Sequence, residues 1–567
     1  MKRQKFQLFL SLVALVAILA TSSCSKKTAT PLANSLFTTN PSPLELVGTK
    51  VPVTINGRFP AKWFDKNTTV VVTPVLKYSG GEALGTAYTY QGEKVAGNGT
   101  VINYESGNPI TLRSEFDYSP AMKKSELFLR FDFSRGGKTV AGFPDVKIAD
   151  GVIATQALAN AATTTPSVAP DAFQRIIKET YDADIMFLIQ QAELRSSELN
   201  SSNLAAWKDL VKEAEGNDRK NINVEVSAYA SPDGGLDLNE KLAEKREKNT
   251  TNYLSKEFKK KNIDTEINAK YTAQDWDGFQ KLVQASSLQD KDLVLRVLSM
   301  YPDTETREKE IKNISAVYTG LAETILPKLR RSRLIANVEV IGKTDEELKK
   351  AANSDLAGLS VEELLYAANL DGVSKEKVYT YVTQKFPNDY RGWNNLGAYY
   401  YQTKQTPKAV QAFNKAAEVS SRAPEASVNQ ALLSLADGNT AKAEQLLGNA
   451  AGASSLGEAL GLLYLQKGDY NKAVQSFGDT KTNNAALAQV LTKNYNKAQQ
   501  TLNAVADKDA TTYYLSAIVA ARTNNTSGVV GNLRSALDNG VSVADVLNDI
   551  EFAKFLTNSD VKNMLIK

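Results

Sequence analysis

The sequence predicts a multidomain chain: an N-terminal β-sandwich, a central α/β domain and a C-terminal α-solenoid. Three observations carry this. From Leu46 to Thr155 apolar and polar residues alternate in short runs separated by Gly-rich or polar turns, the period-two signature of half-buried strands. Between residues 172 and 346 such strands are interleaved with long helical stretches. Beyond Glu346 the chain reads as helical almost throughout, and a self-similar unit of about 34 residues returns several times. At 567 residues the chain is also too long for one core.

Composition narrows the chemistry. The net charge of +4, from 67 basic and 63 acidic residues, is nearly balanced, and no basic stripe with interleaved aromatics occurs, so nucleic acid is not an expected partner. The absence of histidine removes Ser-His-Asp and Cys-His nucleophile systems and His metal ligands. The single cysteine, Cys24, excludes an intramolecular disulfide and a Cys-based zinc site. Two-carboxylate glycoside hydrolysis stays open, but no feature asks for it. The expectation is a protein without enzymatic activity, cofactor or metal.

At the N-terminus Lys2, Arg3 and Lys5 precede an apolar stretch from Leu8 to Ala20, then Thr21-Ser22-Ser23-Cys24. The apolar run suits a secretory signal and is too short to span a membrane. Its small residues ending in cysteine resemble a lipobox, with Thr21 where leucine is usual. That resemblance implies a signal peptide over 1–24 and acylation of Cys24 as the sole membrane anchor. A plain secretory signal is the alternative. Ser25-Lys26-Lys27 lacks the acidic tract that resembles a surface-export signal in Bacteroidota lipoproteins. The expected location is therefore the outer membrane, lipid-anchored and facing the periplasm. Residues 25–45, rich in Thr, Ser, Pro and Asn, read as a tether.

Within the β-sandwich, 46–155, Val51, Val53 and Ile55 alternate with Pro52, Thr54 and Asn56, and Thr69–Thr73 and Leu127–Phe133 are β-branched or aromatic runs. About seven strands are expected. Trp63-Phe64 read as core, with a sugar-stacking platform as the alternative. Residues 156–171, with Thr163-Thr164-Thr165-Pro166 and Pro170, read as a linker.

In the α/β domain, 172–346, Ile185–Ile189 reads as a buried strand, Leu194–Ala214 as a helix and Val224, Val226 and Ala228 as a strand. A long helix to about Phe258 follows, and Ala336, Val338 and Val340 close the domain. The segment from Val226 through Ser231-Pro232-Asp233-Gly234 to Asn239, Leu242 and Arg246 resembles the OmpA C-terminal peptidoglycan-binding family. That family pairs a GxTDxxG loop with a helix carrying LSxxRA. Ser231 falls where the family has its loop aspartate; Gly234 follows three residues later, Asn239 eight and Arg246 fifteen. Asp275-Trp276-Asp277-Gly278 and Ile325–Arg330 resemble further motifs of the Bacteroidota variant. The resemblance implies an OmpA-like domain whose loop carboxylate and helix arginine hold the diaminopimelate zwitterion of peptidoglycan. The candidate peptidoglycan-binding residues are Ser231, Asp233, Asn239 and Arg246. Ser231 supplies no charge, so Asp233 is the carboxylate left for the ammonium. A docking module without wall binding is the alternative. The basic cluster Lys328, Arg330, Arg331 and Arg333 reads as a solvated helix end.

Connecting helices over 347–387 lead to the repeats, 388–567. With Tyr390 as position one, Trp393, Leu396, Gly397, Tyr400, Ala409, Phe413 and Ala416 fall at positions 4, 7, 8, 11, 20, 24 and 27. A unit from Ser454 places Leu460, Gly461, Tyr464, Ala473 and Phe477 likewise, and a shortened unit from Pro424 keeps Ala431, Ala443 and Leu447. Weaker copies carry Ala498 and Leu502, then Ala517, Leu533 and Ala536. This pattern is similar to the tetratricopeptide-repeat (TPR) consensus, which implies stacked helical hairpins with a concave groove. The variable groove positions 2, 5, 9 and 12 hold Arg391, Asn394, Ala398 and Tyr401 in the first unit. Val428, Leu432, Leu435, Leu462 and Leu465 fall on the same face of the next two. The Lys/Asn pattern that clamps a C-terminal carboxylate is missing. An apolar groove suits an amphipathic helix of a partner. The alternative is that the C-terminal helices, Val543 to Phe555, or a neighbouring domain fill it.

Together these readings predict a non-enzymatic outer-membrane lipoprotein. It would link the membrane to the cell wall through the OmpA-like domain and recruit protein partners through the repeats. The alternative is an accessory scaffold of an outer-membrane protein assembly or secretion complex, without peptidoglycan binding.

Overall fold

The computed structural model describes residues 31–140 and 143–566, with only the backbone of 315–317. Cys24 and the stretch 1–24 read as a signal peptide lie outside the described residues. The chain forms two compact units: one joins the residues up to Ala169 with those from Tyr379 onward, the other is Pro170–Val378. In chain order the α/β domain is thus an insertion within the first unit.

The first unit begins as a β-sandwich of β1 (Phe37–Asn40), β2 (Lys50–Phe59), β3 (Thr68–Tyr78), β4 (Gly81–Leu84), β5 (Tyr88–Gly92), β6 (Thr100–Ile102), β7 (Asn108–Asp117), β8 (Ser125–Arg135), β9 (Lys138–Val140) and β10 (Val146–Gly151). One sheet runs β1-β2-β7. The other runs β10-β8-β3-β5-β6, with β4 and β9 paired to β3 and β8. Alternation does the folding: Val51, Val53 and Ile55 of β2 and Leu127, Leu129, Phe131 and Phe133 of β8 are all buried, each on the inward face of its pleat. Trp63 and Phe64 are core residues, Trp63 stacking on Phe59 at 4.8 Å. The stretch 25–45, read as a tether, contains a strand. β1 pairs antiparallel with β2, Phe37 opposite Gly57, and the Phe37 ring lies 2.3 Å from where a Cβ on Gly57 would stand. Only Phe37 of its four residues is buried, so an edge strand held by main-chain bonds left almost no apolar pattern.

The repeats follow as helix pairs: Tyr390–Gln402 with Thr406–Val419, Pro424–Ala436 with Thr440–Leu447, Leu456–Lys467 with Tyr470–Phe477, Asn483–Leu491 with Tyr495–Asn503, and Ala510–Arg522 with Thr526–Asp538. The turn inside each pair is written locally. Lys404, Gly438, Gly468, Lys493 and Asn524, each at position 15 of its unit, all have positive φ and end the first helix in a left-handed residue. Asn439, Asp469, Asn494 and Asn525 then cap the second helix through their side chains. Close packing explains position 8: a Cβ on Gly397 would stand 2.5 Å from the Phe413 ring, and one on Gly461 2.7 Å from Phe477.

The second unit is built on the sheet β11 (Ile176–Met186), β14 (Arg331–Ile341), β12 (Lys220–Tyr229) and β13 (Ile267–Thr272), in that order. β13 is parallel to β12, and the other pairings are antiparallel. Helices Ser202–Glu215 and Leu236–Lys261 pack on it through Trp207, Val211, Leu254 and Phe258. Between β13 and β14 a helical cluster has its own core, with Phe279, Val294, Ile311 and Leu321. The first strand ends at Met186 rather than occupying Ile185–Ile189, and Leu188 and Ile189 are exposed. As an edge strand, β11 carries Lys178, Glu179, Asp182 and Asp184, which hid it from a reading based on apolar runs.

Candidate functional site

The concave face of the solenoid is occupied by the chain itself. Residues 155–169, of which all but Thr155 belong to the stretch 156–171 read as a linker, run through it as an extended strap broken by two single turns, Thr155–Leu158 and Ala161–Thr163. The strap starts at the last repeats and ends at the first, opposite to the order of the repeats in the chain. Thr155 donates its hydroxyl to Glu551, which Arg522 holds through a two-nitrogen fork. Burial lowers the tendency of Arg522 to stay protonated, and the Glu551 carboxylate more than offsets this, so its pKa is raised. The Gln156 amide accepts from the Gly48 amide at 2.7 Å and donates to its carbonyl at 3.1 Å. The Tyr470 hydroxyl bonds Gln156 Oε1 at 2.6 Å and the Leu46 carbonyl at 3.1 Å. This joint fixes the sandwich to the third repeat.

Further along, three asparagines read strap main chain. Asn484 accepts from the Asn160 amide at 3.0 Å and donates to its carbonyl at 2.8 Å. Asn429 does the same for Ser167, both bonds at 2.8 Å, and Asn395 for Ala169, at 2.7 and 2.9 Å. All three sit at position 6 of their units. Asn394 adds a 2.9 Å bond to the Ser167 carbonyl, and Glu458 accepts from the Thr165 amide at 3.3 Å. Ser167 and Ala169 are buried while Val168 between them is exposed, as an extended chain requires.

The expected groove residues divide accordingly. Asn394 contacts the strap, and Tyr401 donates its hydroxyl to the Ala161 carbonyl; burial pushes the Tyr401 phenol up to about 12. Val428, Leu432, Leu435, Leu462 and Leu465 are fully buried in a cluster that includes Ala161 of the strap. Arg391 forks onto Asp389, the cap of its own helix. Sequence reasoning missed Asn395, Asn429, Asn484, Glu458 and Gln156. The signal available was the recurrence of asparagine at position 6, visible only if a bound strand rather than a helix is sought.

In the α/β unit the structure gathers Ser231, Asp233 and Asn239 at one loop and turns Arg246 away onto main-chain carbonyls. The Arg246 side chain is fully buried beneath the Phe187 ring, 4.9 Å away. Its guanidinium donates to the carbonyls of Gln191 (2.9 Å), Tyr229 (2.8 Å) and Leu188 (3.1 Å). Burial, with the charge of Arg330 nearby, pulls its pKa down to about 10. Ser231 donates to Asp233, and Asp233 pairs with Arg330 at 3.0 Å with both side chains almost buried. Asn239 shapes the loop by donating to the carbonyls of Ser231 (3.1 Å) and Gly234 (2.8 Å). The basic cluster read as a solvated helix end is in part interior. Besides Arg330, Arg331 pairs with Asp275 at 3.1 Å and lies over the Tyr229 ring at 4.7 Å. The reason is tertiary: both guanidiniums face carboxylates from distant segments. Among the described residues no group of three or more His, Cys, Asp or Glu is placed to hold a metal, and no helix is long and apolar enough to cross a membrane.

The tetratricopeptide-repeat family model matches residues 390–422 and 458–478. The C-terminal region therefore carries such repeats, a class of scaffold for protein–protein contacts, behind a sheet-rich N-terminal region. Among solved structures the chain is similar to a tetratricopeptide-repeat protein from Parabacteroides merdae, with 15% identity over 39% of this chain and 90% of that one at a TM-score of 0.27. It is also similar to the APC/C hetero-tetramer Cut9-Hcn1, with 16% identity over 64% and 81% at 0.27. A third is yeast Tom70, with 11% identity over 58% and 78% at 0.24. No curated protein sequence matches the chain.

Proposed function

We propose that this chain is a non-enzymatic, lipid-anchored scaffold of an outer-membrane protein assembly, and that its OmpA-like domain does not hold the peptidoglycan stem. The repeats support the scaffold role. The N-terminal signal ending at Cys24 supports the anchor. One observation carries the choice against wall binding: Arg246, the arginine that would meet a diaminopimelate carboxylate, already spends its guanidinium on three main-chain carbonyls beneath Phe187. Releasing it to a ligand would strip three buried acceptors of their donors. Asp233 is likewise neutralised by Arg330.

The test uses the full chain with Cys24→Ser, mixed with isolated diaminopimelate-containing sacculi. No co-sedimentation is expected, whereas the acylated protein should co-purify with an integral outer-membrane protein. Co-sedimentation that free diaminopimelate competes away would overturn the proposal in favour of a wall tether. Labelling with radioactive palmitate, lost in Cys24→Ser, tests the anchor itself.

A further inference from the structure

We propose that the solenoid's groove is a receptor for extended main chain whose resident ligand, held in cis, is residues 155–169. The consequence is that the groove is closed to a partner's helix.

The chemistry is that of peptide capture. A primary amide that both donates to and accepts from one residue's main chain recognises an extended backbone independently of its side chain. Asn395, Asn429 and Asn484 each do this, at the same position of three repeats. All three asparagines are nearly inaccessible to solvent with the strap in place, so whatever strand covers them has to pair their amides. What remains is selection by size and charge. Beyond Gln156 the buried strap residues are small or compact: Ala161, Thr164, Pro166, Ser167 and Ala169. No residue from 155 to 169 carries a charge. Such a groove selects an uncharged, Ala/Ser/Thr-rich strand, not the amphipathic helix that its leucines suggest.

Occupation in cis follows from how the strap is held. It leaves β10 directly, is fixed at its start by Gln156 to Gly48 and Tyr470, and needs no diffusional encounter. A short tether of this kind raises the effective concentration to roughly the millimolar range, against which a free peptide of the same sequence must compete. The proposal does not depend on whether the α/β domain binds the cell wall. The sacculus experiment leaves it untouched.

Hydrogen exchange on the intact full-length protein tests it without any substitution. The amides of Asn160, Ser167 and Ala169 are expected to exchange at least about 100-fold more slowly than in an unstructured peptide. Exchange at the unstructured rate would overturn the proposal. A labelled peptide of residues 155–169 should show no measurable binding to the intact protein; one-to-one binding would mean that the strap is not the resident. A dimer that grows with concentration in sedimentation velocity and dissociates in the triple variant Asn395→Ala, Asn429→Ala, Asn484→Ala would replace occupation in cis by exchange between copies. Finally, a protease site placed at the exposed Pro170 of the full chain allows one cut. The two pieces should co-elute on gel filtration in the wild-type background and separate in the triple variant. Co-elution of the cut triple variant would show that the three asparagines are not what holds the strap, which also overturns the proposal.

Discussion

Asn395 meets the main chain of Ala169 twice, accepting from its amide at 2.7 Å and donating to its carbonyl at 2.9 Å, with both residues buried. Asn395→Ala removes both bonds and leaves a buried donor and acceptor without partners, a cost of about 2–4 kcal/mol. Asn395→Asp keeps the acceptor, loses the donor and adds a buried charge, so it should be no better tolerated. Urea unfolding followed through the solenoid's helical signal measures this. Unchanged midpoints in both variants would show that the strap contact contributes nothing.

Arg246 acts as a clamp on three carbonyls, and its substitution should destabilise the α/β domain. Arg246→Ala strands acceptors on Leu188, Gln191 and Tyr229 and opens a cavity under Phe187, costing on the order of 3 kcal/mol. Arg246→Lys keeps the charge but cannot reproduce the planar fork, so it should recover less than half of the loss. A ligand-binding arginine would behave differently: its removal would leave stability nearly unchanged. Calorimetric resolution of the α/β domain's own transition decides between the two.

The contact of Gly397 with Phe413 is testable as a pair. A methyl on Gly397 enters the Phe413 ring, so Gly397→Ala should cost about 1–3 kcal/mol through overpacking. Phe413→Leu alone also destabilises, because the ring is fully buried. In the double variant the space left by the ring accepts the methyl. The double variant should then be more stable than the sum of the single effects by at least about 0.5 kcal/mol. Simple additivity would show that the helices shift apart instead.

Asp549 gives a dependence on pH. Burial pushes its carboxyl above the usual value of 3.8, against the hydrogen bond it accepts from Tyr514. A carboxyl raised in the folded state contributes stability that is full below its unfolded pKa and lost as the pH rises through its folded pKa. At neutral pH the buried carboxylate is therefore a cost. Asp549→Asn keeps one oxygen to accept from the Glu551 amide, turns its NH2 to the Tyr514 hydroxyl, which can accept from it, and removes the charge. Its melting temperature should exceed that of the wild type at neutral pH, with the difference shrinking as the pH falls toward 3.8. A difference that grows on acidification would contradict the sign.

Much of the architecture was legible because it is local. Helix pairs with small residues at positions 8 and 20 and strands alternating in period two are properties of segments of ten to thirty-odd residues, within the reach of periodicity. The resemblance to the OmpA family rested on spacing alone, and spacing carries no direction: nothing in Ser231, Asp233, Asn239 and Arg246 says that the arginine turns onto Tyr229 and onto carbonyls of the loop after β11.

What the sequence by itself determined is the repeat solenoid, the sheet-rich N-terminal region and the chemistry that the lack of histidine removes. What only the tertiary structure decided is where the strap goes. A stretch of Ala, Thr, Ser and Pro has no apolar period to announce a binding site, because it is recognised through its main chain. Main-chain bonds look the same from every sequence until the asparagines of three repeats are brought to face them.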